Sequence, residues 1–361
     1  MNEMGEMGEM DRMDEMGRMD RVGRMDGVGW LLALMFALLL APVAPVAAAG
    51  ADGATTPAAK VSSAAAGPGQ LLVAAAKAFD GYRAHQHIVE QCRFGPRLAG
   101  YPGHRQGRDY IVNHLKKLGW KTELQKFDAY SAVLRKSLSC ENIIARLDTP
   151  ATQTIVLSCH WDTRPIADRD PDRSLRRSPI PGANDGGSGV AVLLELATAF
   201  AKHPPPYDLV FLFFDAEDMG LPRTDRGWCL GSRHFVDQRP KDLKFLVGVN
   251  IDMVADGDQL FQIEPNSLRT GARYVKELWS VGIELYPENF SLRKTGAITD
   301  DHLAFVEEGL PYLNIIDLDY KQWHTTADLP GKCVPKSLTR IGRTVAQWLV
   351  TRGEKEKKII P

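Results

Sequence analysis

Five segments, far apart in the chain, each place an acid or a histidine at or near the end of an apolar run: TIVLSCHWD, PIPGANDGGSG, LVFLFFDAED, VGVNIDMV and QWHTTADLP. Read in order, they supply His160, Asp185, Glu217, Asp218, Asp252 and His324. Imidazole nitrogens and carboxylate oxygens are ligands that zinc takes in proteins. The sequence therefore predicts a zinc centre, with one carboxylate left over for proton transfer.

The first two segments are ambiguous when each is taken alone. His160 is followed by Asp162, which could orient its imidazole, but a histidine at a strand end can also be satisfied by hydrogen bonds alone. Asp185 lies among glycines, where the backbone can approach a ligand closely, yet it could equally cap the helix that follows.

The third segment brings Asp215, Glu217 and Asp218 together after the apolar run LVFLFF. Carboxylates so close resist ionising together unless a cation neutralises them, so one of the pair Glu217 and Asp218 can bind metal while the other moves protons. The alternative is a solvated acidic turn. Asp252 could likewise serve only as a hydrogen-bond acceptor and His324 only as a packing residue, but their joint occurrence in this order favours a metal site.

Alternating apolar segments predict how these residues are positioned. We expect helices over 71–91 and 104–119, strands over 121–131, 138–147, 154–159, 208–214, 245–252 and 311–318, and helices over 187–202, 231–239, 269–281, 300–308 and 335–350. Apolar strands without polar alternation are typical of sheets covered on both faces. The sequence therefore predicts a three-layer α/β/α sandwich with a central mixed, mostly parallel sheet, in which ligands bind beyond the carboxyl ends of the strands.

Composition limits the alternatives. The chain has 361 residues, of which 44% are hydrophobic and 25% charged, with a formal net charge of −1. A general nucleic-acid binder needs a surplus of Lys and Arg, so nucleic acid is not an expected partner. The five cysteines show no C-x-x-C pairing, which argues against a thiolate metal site, and an odd number leaves at least one thiol free.

The N-terminal region has the pattern of a targeting segment. The uncharged run at 30–49 ends in a small-residue motif suited to cleavage before Gly50, which predicts export without stable membrane insertion after cleavage; the alternative is a retained anchor. The acidic, Met-rich start is unlike a signal sequence, so translation could begin at Met19. The expected organisation is an extension and signal peptide over 1–49, a flexible linker over 50–70, a catalytic domain over 71–353 and a charged tail over 354–361.

Residues 75–350 resemble the zinc aminopeptidase fold and, within it, the animal-type glutaminyl-peptide cyclotransferases. The motifs common to the fold are H-x-D, a Gly-flanked Asp, an acidic pair, Asp before Met and a late His. The cyclotransferase branch is indicated by GSRHF at 231–235, DDH at 300–302 and Trp323 before His324. The segments HWDTRP and WCLGS are similar to bacterial secreted versions of that cyclase.

This resemblance implies roles for particular residues. Asp185, Asp218 and His324 would hold one zinc ion, and Glu217 would be the acid and base. Asp300 and Asp252 would be supporting carboxylates. The wall of the substrate pocket would be formed by Trp323, Ile298 and Tyr320.

The sequence departs from the family pattern at several positions. Asp218 stands where a Glu is common, Asn314 where animal enzymes carry a His, and Arg223 where they carry an aromatic residue. Cys159 matches a family cysteine, but its usual disulfide partner is Val190 here, so that bridge should be missing. The charged insertion over 164–177 is expected to be a solvated loop rather than part of the entrance.

The resemblance implies cyclisation of N-terminal Gln on peptides, with release of ammonia. The rival is a two-zinc aminopeptidase in which His160 and Asp252 complete a second metal site and Glu217 activates water; the sequence retains every ligand for it. A catalytically inactive binding module would require a lost acid or ligand, and none is lost. Either enzyme would act on the N-termini of peptides or proteins.

Overall fold

A computed structural model describes residues 72–149, 151–239 and 243–357. The expected extension, signal peptide and linker lie outside these residues, as does the end of the expected tail, whose first residues continue the last helix. Within the described part of the chain, no helix is both long enough and apolar enough to cross a bilayer.

Eight strands and eight helices organise the described residues. The strands are β1 (Lys121–Ser131), β2 (Lys136–Leu147), β3 (Thr154–His160), β4 (Asp208–Phe214), β5 (Val247–Asp252), β6 (Phe261–Ile263), β7 (Phe290–Lys294) and β8 (Tyr312–Ile316). The helices are α1 (Ala74–Ala78), α2 (Gly81–Arg93), α3 (Pro102–Lys117), α4 (Gly187–Lys202), α5 (Leu230–Gln238), α6 (Ser267–Leu285), α7 (His302–Glu307) and α8 (Pro335–Lys357).

The main sheet has six strands in the order β1-β2-β4-β3-β5-β8. Strands β4, β3, β5 and β8 are mutually parallel, whereas β2 joins β4 and β1 joins β2 in antiparallel pairing. The expected mixed, mostly parallel sheet is thus confirmed. A separate parallel pair, β6 and β7, was not predicted, because β6 has only three residues and offers no usable periodicity.

Strand β4 shows why its sequence lacks polar alternation. Its side chains enter two different cores: Leu209, Phe211 and Phe213 pack with α1, α2, α4, α6 and α8, and Val210, Leu212 and Phe214 pack with α5 and α7. Both faces of the sheet are therefore covered, and the three-layer arrangement follows.

The helix expected over 71–91 is two helices, α1 and α2. Asp80 separates them, because its carboxylate accepts hydrogen bonds from the backbone N–H groups of Tyr82 (2.8 Å) and Arg83 (3.3 Å) and so caps the start of α2. The apolar spacing continues across this break, which is why the sequence alone suggested one helix.

Glycines let helix α4 begin close to the strands that carry the site. Gly186 precedes the helix with φ of 82°, and a Cβ there would lie 2.5 Å from the carbonyl oxygen of Asp162. A Cβ on Gly189 would lie 2.3 Å from the carbonyl oxygen of Ile251. Asp185 makes no capping bond to α4, which leaves its carboxylate available for another role.

Candidate active site

The predicted site residues meet at one edge of the sheet, where the parallel strands end. His160 is the last residue of β3 and Asp252 the last of β5, while Glu217 and Asp218 lie in the turn that follows β4. His324 comes from the loop after β8. The carboxyl ends of neighbouring parallel strands share one edge, so residues far apart in sequence become neighbours.

Five of these residues form two groups that share Asp185. In one group, His160 Nε2 lies 3.2 Å from Asp185 Oδ1 and 3.1 Å from Asp252 Oδ1. In the other, His324 Nε2 lies 3.4 Å from Asp218 Oδ1 and 3.8 Å from Asp185 Oδ2. Tetrahedral zinc with ligands about 2.0 Å away separates them by roughly 3.3 Å, so both groups have spacings close to those of a metal site.

Some of the carboxylate oxygens in these groups also lack a hydrogen-bond or charge partner. Asp185 Oδ2 and Asp218 Oδ2 are buried without a hydrogen-bond partner. Burial and the nearby charge of Asp218 raise the pKa of Asp185 to about 6. Buried carboxylates of this kind bind protons unless a metal cation neutralises them instead. The donor set therefore fits a divalent metal such as zinc.

Asp162 anchors the loop that carries the acidic pair. Its Oδ1 accepts the backbone N–H of Glu217 (3.1 Å), and its Oδ2 accepts that of Asp218 (3.3 Å). The same carboxylate lies 3.4 Å from Nδ1 of His160, which is the orienting position expected from the H-x-D spacing.

Glu217 is buried at the floor of the site and belongs to neither ligand group. Burial raises the pKa of Glu217 well above its usual range, and the charges of Asp218, Asp301 and Asp300 raise it further, while His160 opposes them. The Sγ of Cys229 lies 3.4 Å from Glu217 Oε1, within the distance of a thiol hydrogen bond. Its burial and raised pKa are properties that a proton carrier requires.

Asp215, the first acid of the predicted cluster, has hydrogen-bond partners of its own. Asp215 Oδ2 accepts a hydrogen bond from the backbone N–H of Glu141 and lies 2.7 Å from His104 Nε2, while its Oδ1 accepts the N–H of Ala216. Its carboxylate is engaged by these partners, and the acids that raise the pKa of Glu217 are Asp218, Asp301 and Asp300.

The expectation that residues 164–177 form only a solvated loop is also wrong. Arg164 is fully buried, and its guanidinium lies 2.9 Å from Asp218 Oδ1 and 2.5 Å from Asp168 Oδ1. Asp168 in turn lies 3.3 Å from His324 Nδ1. The insertion therefore reaches the outer side of two candidate metal ligands.

Replacing Arg164 by Met is expected to lower the free energy of unfolding by about 3 to 5 kcal/mol, because the buried carboxylate of Asp218 loses its charge partner. The matched control is Arg233→Met, which removes the half-exposed ion pair with Glu307 and should cost less than about 1 kcal/mol. Urea unfolding of both variants measures the difference. Equal costs would show that Arg164 is not a buried counter-ion.

The ligand groups open into a cavity of about 710 Å³. Trp323, Ile298 and Asp300 line it, at the positions implied by the family resemblance. Tyr320 does not. Its hydroxyl points instead to Asp328 Oδ1 (2.7 Å), a buried carboxylate that also accepts the backbone N–H groups of the Asp185 loop, so Tyr320 supports the ligand loop rather than the pocket wall.

Asp300 is held in place by amide side chains. Asn250 Nδ2 donates to its Oδ1 (3.0 Å) and Asn314 Nδ2 to its Oδ2 (2.7 Å). Burial and the charge of Asp252 raise the pKa of Asp300 to about 6. Asn314, which replaces a family histidine, thus supplies a hydrogen bond to the carboxylate that faces the cavity.

Glu264 supports the cavity wall from behind. Its Oε1 accepts the backbone N–H of Ile298 (3.2 Å), and its Oε2 accepts the N–H and hydroxyl of Ser267 and lies 3.0 Å from His302 Nε2. Although burial opposes the shift, these contacts lower the pKa of Glu264 from 4.5 to about 2.

A charge-neutral Gln at position 264 should remove a pH-dependent part of stability. The pKa of Glu264 is lower in the folded chain than in the unfolded chain. Its contribution to the free energy of unfolding is therefore complete above pH 4.5 and is lost as the pH falls toward 2. Between about pH 7 and pH 3, wild type should lose about 2 kcal/mol more than Glu264→Gln. Urea unfolding at both pH values measures this loss, with exposed Glu307→Gln as the control; identical losses in wild type and Glu264→Gln would contradict the role.

All five cysteines are free thiols in the described residues. Cys159 and Val190 are buried in the same core, where the family disulfide was expected to be missing.

The three-layer fold, with paired ligand groups at the carboxyl edge of its sheet, defines an aminopeptidase-like class of enzyme. Residues 142–349 match the model of peptidase family M28, and the chain belongs to that family.

Similar proteins include enzymes of two kinds. A glutaminyl-peptide cyclotransferase-like protein of Bos taurus is 27% identical over 286 residues, which cover 70% of this chain and 71% of that protein. A glutaminyl cyclase from Bacteroides thetaiotaomicron is 30% identical with a TM-score of 0.72, covering 75% of this chain and 98% of its own. A Zn-dependent exopeptidase from Parabacteroides distasonis is 34% identical with a TM-score of 0.72, covering 76% and 99%.

Proposed function

We propose that this chain is a zinc-dependent glutaminyl-peptide cyclotransferase, which converts N-terminal Gln to pyroglutamate and releases ammonia. The observation that carries the proposal is an asymmetry between the ligand groups. Among the candidate ligands, the two buried carboxylate oxygens without a hydrogen-bond partner are Asp218 Oδ2 and Asp185 Oδ2, and the latter lies 3.8 Å from His324 Nε2. In the other group, His160 Nε2 and Asp252 Oδ1 satisfy each other at 3.1 Å. Asp185, Asp218 and His324 would hold one zinc ion, whose charge would satisfy both unpartnered oxygens.

The reaction needs one proton carrier and a site that holds the Gln side chain. Bound zinc would polarise the side-chain amide carbonyl. Glu217 accepts a proton from the attacking α-amine and delivers it to the departing amide nitrogen, so one C–N bond forms, another breaks, and ammonia leaves with the transferred proton. A raised pKa suits Glu217 to both steps.

The remaining residues position the substrate. Asp300, held by two amide side chains, and Asp252 can accept hydrogen bonds from the N–H groups of the substrate. Trp323 and Ile298 line the cavity and would exclude water from the Gln side chain. Exclusion of water matters, because water would compete with the α-amine and hydrolyse the amide.

A two-zinc aminopeptidase is the second candidate. The shared carboxylate of Asp185 lies 3.2 Å from His160 Nε2 and 3.8 Å from His324 Nε2, so it would be a ligand in both metal sites. Glu217 would then activate water instead of an amine. The exopeptidase from Parabacteroides distasonis is consistent with this alternative.

Mass spectrometry of two peptide substrates separates the candidates. The purified protein, loaded with zinc, is incubated with a Gln-initiated and a Leu-initiated peptide. Loss of ammonia from the first supports the cyclotransferase, whereas release of free Leu from the second would refute it. Zinc analysis of the same preparation gives one equivalent per chain for the cyclotransferase and two for the aminopeptidase.

A further inference from the structure

Three exposed arginines, Arg169, Arg176 and Arg223, line the mouth of the same cavity. The opposing exposed carboxylate there is Asp225. Asp168 also lines the cavity, but its Oδ1 is engaged by Arg164 and His324. The mouth is therefore positively charged, while the floor is rich in carboxylates.

The arginine side chains at the mouth retain free hydrogen-bond donors. Among the described residues, no carboxylate oxygen lies within ion-pair distance of the guanidinium of Arg169, Arg176 or Arg223. Arg176 donates from Nε to the backbone oxygen of Asp170 at 2.7 Å. Hydrogen bonds from Thr326 lower the pKa of the Asp170 carboxyl, and the charge of Arg176 helps to lower it. A guanidinium with an open edge can bind a carboxylate through two parallel hydrogen bonds.

The loop that carries Arg223 is closed on itself. The backbone N–H of Leu221 donates to the carbonyl oxygen of Arg226 (2.9 Å), and the indole Nε1 of Trp228 donates to that of Thr224 (2.8 Å). The same indole stacks parallel to the ring of a candidate metal ligand, with an interplanar angle of 9°. These contacts hold Arg223 at the mouth.

The position of Arg169 shows roughly how far the mouth of the cavity lies from the candidate metal ligands. Its guanidinium lies 3.9 Å from the ring centroid of Trp323, whose ring lies 4.4 Å from that of His324. An extended peptide advances roughly 3.3 to 3.6 Å per residue, so the second or third residue of a bound peptide would come within reach of Arg169.

We propose that Arg223, with Arg169 and Arg176, selects peptides that carry a carboxylate at the second or third residue. This inference rests on the proposed function, which places the N-terminal residue at the floor of the cavity. The carboxylate could be an acidic side chain or the C-terminus of a very short peptide, since both present the same group.

Kinetics on charge-matched peptides test the selection. Gln-initiated peptides of equal length, amidated at the C-terminus and carrying Glu or Lys at the second or at the third residue, are compared at low ionic strength. The ratio of kcat/KM should favour the acidic peptide by about five- to tenfold and should fall at high salt. Arg223→Gln should lower the ratio at least about threefold, and Arg223→Glu should favour the Lys peptide.

Arg226→Gln is the matched control, because Arg226 is exposed in the same loop but does not line the cavity. It should keep the wild-type ratio. A Gln-initiated tripeptide with a free C-terminus, compared with its amide, shows whether the terminal carboxylate serves as well as a side chain. Equal constants for acidic and basic peptides, or a wild-type ratio in Arg223→Gln, would overturn the proposal.

Two further measurements separate this inference from the proposed function. If no ammonia is released but Leu-Glu peptides are hydrolysed faster than Leu-Lys peptides, the charge selection stands and the cyclotransferase assignment fails. If neither peptide is turned over, dissociation constants of the Gln-initiated Glu and Lys peptides for the zinc-loaded protein decide. Equal dissociation constants would refute the selection.

Discussion

Glu217→Gln is expected to reduce turnover by about 10³-fold while leaving the bound metal unchanged. Gln has nearly the same volume as Glu but cannot accept the proton of an attacking amine or water. Glu217 belongs to neither ligand group, so the change leaves all five candidate metal ligands in place. Steady-state kinetics together with zinc analysis measure the two effects separately.

Glu307→Gln is the control for this substitution. Glu307 is exposed and pairs with Arg233 on the surface, so its replacement removes the same charge outside the cavity. Its kcat/KM should equal that of wild type. Turnover of Glu217→Gln above a tenth of the wild-type value, with full zinc content, would remove Glu217 from the role of proton carrier.

Asp185→Asn is expected to weaken zinc binding more than about 100-fold, because loss of even an outer partner of a ligand costs 10- to 100-fold. Asp185 is shared by both groups, so its replacement affects either metal arrangement. By contrast, Asp252→Asn removes a ligand from the group of His160 alone and should leave one zinc bound. Zinc content after dialysis, together with circular dichroism to verify folding, measures both changes.

Exposed Asp258→Asn serves as the control for charge removal and should retain wild-type zinc content. If Asp185→Asn retained zinc, the two groups would not share a ligand. If Asp252→Asn lost all zinc, binding at the two groups would be interdependent, and the single-zinc proposal would fail.

The sequence predicted the sheet and the position of the candidate site, because both depend on local patterns. Strands such as β4 are long apolar runs, and residues able to do chemistry lie at or just after their ends. Once parallel strands are expected, their ends must share an edge. The proximity of His160 and Asp252 could therefore be predicted from the sequence, without knowledge of their contacts.

The surroundings of the site could not be predicted in the same way. Arg164 lies in a charged segment typical of a solvated loop, and its burial depends on Asp218, which lies 54 residues away. Asp215 resembles its neighbours in the acidic cluster, and only the folded structure shows that its carboxylate contacts His104. Tyr320 was expected in the pocket, but its hydroxyl finds a partner eight positions along the chain in Asp328. Such partnerships depend on tertiary packing.

The way in which Asp162 holds the acidic loop bears on how such a site can change during evolution. Its two oxygens bind the main-chain N–H groups at positions 217 and 218 and make no demand on the side chains there. A substitution at either position therefore changes the side chain while the backbone stays held in the same position. Asp in place of Glu at position 218 therefore leaves both of these backbone hydrogen bonds intact.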